Sequence, residues 1–305
     1  MALVDPGRSR KRVLMIAPLM PADRGNGLAM RAGFFLDAYA RRFDVDLVVA
    51  PVFGGVTLSD FARLRAARVE ILRMDRPDSH YALVSAVNDP LARLEALRRY
   101  GRPSLTAFVG SARLALAGIA EQARYQAIHV FRLYLAELAT PWIGDGHTRL
   151  ILDCDENDAA GFYRIARMEN RHRNPVAAGS AEAEAAAFER FAAHWLPKFS
   201  LVYAASNKEV RSLSAFATRT LAIPNVLAGV NARCRRHRQK RFYKIVFVGS
   251  LGYAPNADAI GWFYSNVWRR LERALRHRVR LVIVGSNPPK AVSYTHLTLP
   301  TNREV

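Results

Sequence analysis

Residues 13–50 read VLMIAPLMPADRGNGLAMRAGFFLDAYARRFDVDLVVA, and their pattern decides the fold. Val13–Ala17 is a continuous apolar run, the mark of a strand covered on both faces of a parallel sheet. A loop with Pro18, Pro21, Gly25 and Gly27 follows. Leu28, Ala32, Phe35, Leu36, Tyr39 and Phe43 then recur at helical spacing, which predicts an amphipathic helix. Val45–Ala50 is the next strand. Strand, loop, helix and strand in this order make a βαβ unit.

The same alternation continues outward. Further strands are expected at Val69–Leu72, Ile128–Phe131, Leu150–Asp153, Leu201–Ala205 and Thr220–Ile223. Helical stretches fall at Leu91–Tyr100, Ala112–Arg124 and Ala181–Leu196. The last carries Phe188, Phe191 and Trp195, read as core packing. Pro224–Phe242 breaks the pattern, and a strand restarts at Lys244–Val248. A polar loop to Asp258 follows it. A helix comes next, with Ala257, Ile260, Gly261, Tyr264, Trp268, Leu271 and Leu275 on one face, then a strand at Leu281–Val284. The expected fold class is therefore α/β, with two Rossmann-like doubly wound domains, the second incomplete. The expected boundaries are 12–228 for the first domain, 229–243 for a basic linker and 244–291 for the start of the second. Residues 292–301 resemble the conceptual translation of a transposon-end sequencing adapter. Residues 292–305 are accordingly expected to be a non-biological tail on a truncated chain that is itself expected to be inactive, the other reading of the tail being a Thr-rich edge strand.

The chain of 305 residues is half hydrophobic, a globular composition. No apolar stretch approaches the roughly 18–20 residues that cross a bilayer. The basic start before Val13 suggests a signal peptide, but Pro18 and the polar turn at Asp23–Asn26 favour a first buried strand. Cys154 and Cys234 match no metal or disulfide pattern, so a reducing cytoplasm is the default. Lys and Arg exceed Asp and Glu by 45 to 26, a formal charge of +19. Seven basic residues lie between Asn231 and Lys244, and six arginines between Arg269 and Arg280. An excess of this size predicts attraction to an anionic partner; a solvated, Arg-rich surface is the other reading. Specific nucleic-acid binding is not expected, because no zinc-finger, RNA-recognition or helix-turn-helix signature is present.

Gly25-Asn-Gly27 ends a loop before a helix, where backbone N–H groups can approach a phosphate. An ordinary strand-to-helix turn is the alternative. A nicotinamide fingerprint is not met: Met30 stands where its third glycine would fall, and Ala50-Pro51 where its acidic residue would. Four carboxylates (Asp153, Asp155, Glu156, Asp158) gather at a strand end, the edge at which open α/β sheets bind ligands. They can accept hydrogen bonds from sugar hydroxyls, or cap the helix expected near Ala159.

Several of these stretches carry a family resemblance. Pro18–Gly27 looks like the first donor-facing loop of GT-B glycosyltransferases of the family-4 kind. Ala127-Ile-His-Val-Phe-Arg132 is similar to the family's Asp-Val-Ile-His-Val-His strand, with His129 on its first histidine and Phe131 on its second. Leu150–Asp158 resembles the acidic strand end of a polysaccharide-assembly branch. Val246-Phe-Val-Gly-Ser-Leu-Gly-Tyr-Ala-Pro-Asn256 resembles the start of that branch's donor domain, and Leu281–Pro289 its second strand and loop. The Arg and Lys that many members carry after the first donor-domain strand are missing from Gly249–Asn256.

The resemblance implies transfer of a sugar from a nucleotide-sugar to a glycan or lipid-linked acceptor, with retention, in cell-surface polysaccharide synthesis. It implies no metal and no cofactor beyond the donor substrate. Asp155 and Glu156 are the implied catalytic residues, and Gly25, Gly27, Gly249, Ser250 and Asn256 the nucleotide-sugar contacts. The expected location is cytoplasmic, with peripheral contact to an anionic membrane. The rivals are a non-catalytic nucleotide- or glycan-binding protein of the same fold and a nucleotide-sugar dehydrogenase or epimerase.

Overall fold

The computed structural model describes residues 10–52, 56–74, 89–226, 243–275 and 278–285. The expected basic linker, Cys234 and the adapter-like tail lie outside these residues, apart from Tyr243 at the linker's end. The chain divides into two compact units. Helix end 167–172 groups with the smaller, C-terminal one.

In the larger unit β1 (Arg12–Ala17), α1 (Gly27–Ala40), β2 (Asp44–Val49), α2 (Asp60–Arg63) and β3 (Arg68–Ile71) come first. Next are α3 (Pro90–Tyr100), α4 (Gly110–Gln122), β4 (Ala127–Phe131), β5 (Arg149–Asp155), α5 (Asp158–Arg171) and α6 (Pro175–Trp195). β6 (Leu201–Ala204), α7 (Asn207–Leu213) and β7 (Thr220–Ala222) finish it. The seven strands are all parallel in the order β3-β2-β1-β4-β5-β6-β7. The chain starts mid-sheet, runs out to β3 and returns to β4. This leaves a topological switch point between β1 and β4.

Both sheet faces are covered, which is why β1 reads as an unbroken apolar run after Arg12, and β2 is apolar from Val45 on except for Asp46, whose buried carboxylate accepts from Arg12 and Tyr125 (2.6 Å each). Met15 and Ala17 pack with Phe35, Leu36 and Leu47 under α1. Leu14 and Ile16 face the other way, into a larger cluster with Leu116, Val130, Leu135 and Phe188.

Three elements differ from the sequence expectation. α6 begins at Pro175, six residues before Ala181, because Asn174 caps it by accepting from the Ala177 amide (3.3 Å) and proline suits the first turn. Leu133–Trp142 forms a buried 3-10 run that carries Glu137 inward. β5 extends two residues beyond Asp153 through a bulge, where Asp153 and Asp155 oppose consecutive residues Tyr203 and Ala204.

The smaller unit pairs β8 (Tyr243–Val248) in parallel with β9 (Val279–Val284). Between them run α8 (Ala254–Phe263), a π-helical turn at Tyr264–Trp268 and α9 (Arg269–Ala274). The helix thus starts four residues before Asp258, within the stretch expected to be polar loop. Pro255 in its first turn fits that start. Leu251, Ile260 and Ile283 form its core with Phe247, Phe263 and Leu281. Among the described residues no helix is long and apolar enough to cross a membrane.

Candidate functional site

At the carboxyl edge of the large sheet, α1 meets the ends of β4, β5 and β7. Arg31, Phe35 and Tyr39 lie four residues apart on one face of α1. Phe35 packs edge-on to His129 (centroids 4.8 Å) and stacks on Tyr203 (5.7 Å). His129 is fully buried, with Nδ1 3.1 Å from the Tyr39 hydroxyl. Burial and the nearby Arg31 push its pKa down to about 3, so the ring is a neutral packing group.

Arg31 is 4% exposed and reaches past these rings to Asp153, which is 0% exposed. Its Nε donates to both carboxylate oxygens (3.0 and 2.9 Å), and its Nη1 to the Ile223 carbonyl (2.7 Å) and Asn225 Oδ1 (2.9 Å). Asp155 Oδ1 stands 3.7 Å from the same Nε. Arg132, just beyond β4, forms a second buried centre. Its Nη2 donates to Asp158, Nη1 lies 3.5 Å from Asp155, and Nη2 lies 3.6 Å from Glu156. Burial pushes the Asp158 carboxyl up to about 6 against the pull of Arg132, and raises Asp153 as well.

Two residues here hold left-handed backbones, Arg132 (φ 74°) and Asp155 (φ 63°). Such conformations cost about 1–3 kcal/mol each in a non-glycine residue and gather at functional sites. The Arg132 amide donates to the Asp153 carbonyl (2.7 Å), and the Ala205 amide to that of Asp155 (2.6 Å), which locks the strained turns in place.

The four carboxylates therefore sort into two pairs. Asp153 and Asp158 are buried against guanidinium groups. Asp155 and Glu156 keep side-chain exposures of 20% and 47%. Both outer groups are steered by Arg132 and remain open to a ligand's hydroxyls. Neither of them caps α5. Asn157 does so, accepting from the Ala160 amide (3.2 Å). Among the described residues no group of His, Cys, Asp and Glu is placed to hold a metal ion.

The two glycines nominated in the first loop lie between the carboxyl end of β1 and the start of α1, Gly27 one helical turn before Arg31. Gly25 adopts a left-handed backbone (φ 102°), and Gly27 opens α1. The first amides of α1 are taken by Asn26, whose Oδ1 accepts from Leu28 (2.9 Å) and Ala29 (3.0 Å). In the smaller unit the three nominated residues come together. The Gly249 amide donates to the Val284 carbonyl (3.0 Å), and Asn256 Nδ2 to the Ser250 carbonyl (2.9 Å). A Cβ on Gly285 would lie 1.9 Å from the Gly249 carbonyl oxygen, so the turns after β8 and β9 touch through glycine. α8 starts beside them with no side-chain cap at Tyr253.

Sequence reasoning missed Arg31, Arg132 and Asn225. The available signal was an arginine on the apolar face of α1, three residues after Leu28 and four before Phe35.

No protein-family model matches the chain, and no curated protein matches it. Among solved structures it is similar to a UDP-glucosyltransferase from Polygonum tinctorium capable of glucosylating indoxyl. The two are 14% identical with a TM-score of 0.51, over 97% of this chain and 68% of that one. It is also similar to an α,α-trehalose-phosphate synthase (UDP-forming) from Burkholderia vietnamiensis. There the identity is 12% and the TM-score 0.51, over 93% of this chain and 65% of that one. The α/β architecture described above is thus the GT-B fold of these glycosyltransferases.

Proposed function

We propose that the chain is a glycosyltransferase that moves a sugar from a nucleotide-sugar to a hydroxyl of a glycan or lipid-linked acceptor. The observation that carries this is the outer carboxylate pair, Asp155 and Glu156. It is held at the binding edge of a GT-B sheet by a bulge, a left-handed backbone and two buried guanidiniums. Carboxylates fixed in this way accept hydrogen bonds from sugar hydroxyls, or stabilise positive charge developing at a sugar carbon.

On the donor side, Gly249, Ser250 and Asn256 flank the N-terminus of α8, where no side chain caps the helix. The positive end of the helix dipole favours a diphosphate there. Catalysis is then positioning plus electrostatic stabilisation of the departing nucleotide, without a metal. Retention of configuration, a role in cell-surface polysaccharide assembly, a family-4-like lineage and a cytoplasmic site of action belong to the same proposal. The first three rest on the sequence resemblance, and the last on the absence of a metal or disulfide pattern at Cys154 and Cys234.

The test is turnover with UDP-, GDP- and ADP-sugars by the full-length enzyme and by its Asp155→Asn and Glu156→Gln variants. Asparagine tolerates the left-handed backbone at 155, so the fold is retained. Loss of one preorganised electrostatic contact lowers the rate about 100–1000-fold. Full activity in both variants would remove these residues from the mechanism, and absence of turnover with every donor would remove the activity.

A further inference from the structure

A second constellation shares no residue with the carboxyl-edge centre. A cavity of about 430 Å³ opens between the loop after α3, α4, α6 and the buried 3-10 run. Arg102, Arg113 and Arg190 reach it from three different segments, with His194 beside them. Its one carboxylate among the described residues is Glu137, 3% exposed. Arg102 Nη2 donates to both Glu137 oxygens (2.8 and 2.9 Å), and Arg113 Nη1 lies 3.4 Å from Oε2. Arg190 makes no ion pair with Glu137 and donates from Nη2 to the Gly101 carbonyl (3.2 Å). One carboxylate cannot balance three guanidiniums, so the cavity carries a surplus charge of +2 before His194 is counted.

Aromatic rings of α6 also line the cavity. The Arg102 guanidinium sits 5.7 Å from the centre of the Phe191 ring, which is itself packed against Trp195 (5.8 Å). Lys198 Nζ lies 5.4 Å from the Trp195 ring, adding a further cation at the rim. The arrangement exceeds what folding requires. A buried Glu137 needs a single arginine, and Phe191 is already buried beside it.

We propose that this pocket binds a phosphate group, carried by a soluble metabolite or by a lipid headgroup. Guanidinium forks match phosphate oxygens in pairs, and a doubly charged, three-oxygen group fits the surplus charge where a second carboxylate would not. Glu137, Phe191 and the Gly101 carbonyl preorganise Arg102 and Arg190, while Phe191 and Trp195 offer a surface for the body that bears the phosphate. This does not depend on the glycosyltransferase reading.

The experiment uses the whole protein. Calorimetry and ³¹P NMR follow inorganic phosphate and glycerol 1-phosphate, and co-sedimentation compares phosphatidylglycerol with phosphatidylcholine vesicles. Arg113→Gln/Arg190→Gln leaves the Arg102–Glu137 pair intact. Arg149→Gln/Arg164→Gln removes the same charge elsewhere. Losing hydrogen bonds from charged donors weakens binding at least about tenfold in the pocket variant, with the control close to wild type. Loss of the soluble phosphates identifies a metabolite site, and loss confined to phosphatidylglycerol vesicles a headgroup site. Equal losses in both double variants would reduce the effect to net charge and overturn the proposal, as would absence of binding in every arm.

Discussion

Replacing Arg31 with methionine strips Asp153 of its counter-charge inside the larger unit. The carboxylate is 0% exposed and takes both of its Arg31 hydrogen bonds from one nitrogen. Its other donor is the uncharged Asp155 amide (2.9 Å), which cannot neutralise it. Breaking one side of a buried pair costs about 3–5 kcal/mol, because an unpaired charge remains. Ile223 and Asn225 lose their donor as well, but these losses are not additive with the first. Removing both charges is a different perturbation. Arg31→Met/Asp153→Leu puts apolar groups of similar size in the same space, and such replacements range from neutral to about 1–4 kcal/mol stabilising. The double variant is therefore expected to be more stable than Arg31→Met alone. The pH sign follows from burial, which already raises the Asp153 pKa and does so further without Arg31. A raised carboxyl keeps its stability contribution below the unfolded value and loses it as pH rises through the folded value. The Arg31→Met deficit must accordingly shrink towards acid. Urea denaturation of the four proteins of this cycle, at neutral and acidic pH, measures all three effects. A single-variant loss under about 1 kcal/mol, or a double variant less stable than Arg31→Met, would refute the buried-pair account.

The Asp158 carboxyl, pushed to about 6 from an ordinary 3.8, makes stability fall as pH rises between those values. Asp158→Asn should flatten that window in denaturation curves, and an unchanged pH profile would move the titration elsewhere. Gly33→Ala reverses a familiar sign. Alanine normally gains about 1 kcal/mol inside a helix. Here its Cβ would lie 2.1 Å from the Ala22 carbonyl oxygen, so a melting-point drop is expected. Asn26→Ala should cost about 1 kcal/mol through the lost cap on α1, and no measurable loss would mean that the cap is redundant.

The architecture was legible because parallel strands buried on both faces leave largely apolar runs, unbroken at Val13–Ala17 and interrupted only by Asp46 at Val45–Val49. The start of α6 was equally written in Asn174-Pro175, a cap followed by a first-turn proline, but Ala-rich sequence beyond it drew the boundary inward. Phe188 and Phe191 proved to be core, and Trp195 packs half-buried against it while also lining the cationic cavity. The acidic strand end was visible as a cluster of charges. Its sorting into buried and open pairs was not, because Arg31 and Arg132 reach it only through tertiary structure. Backbone strain at Asp155 leaves no mark in sequence, since its cause is the pairing of β5 with β6.

Arg31 also has a temporal consequence. It contacts residues 122, 192 and 194 positions further along the chain. At ribosomal speeds of about 5–20 residues per second, Asn225 is made roughly 10–40 s after Arg31. Its counter-charge Asp153 is made earlier, but until then the Nη1 donor lacks the two acceptors that satisfy it on burial, which makes closing α1 over the sheet edge costlier. The centre that fastens α1 is therefore complete only once the last strand of the sheet and Asn225 have been made.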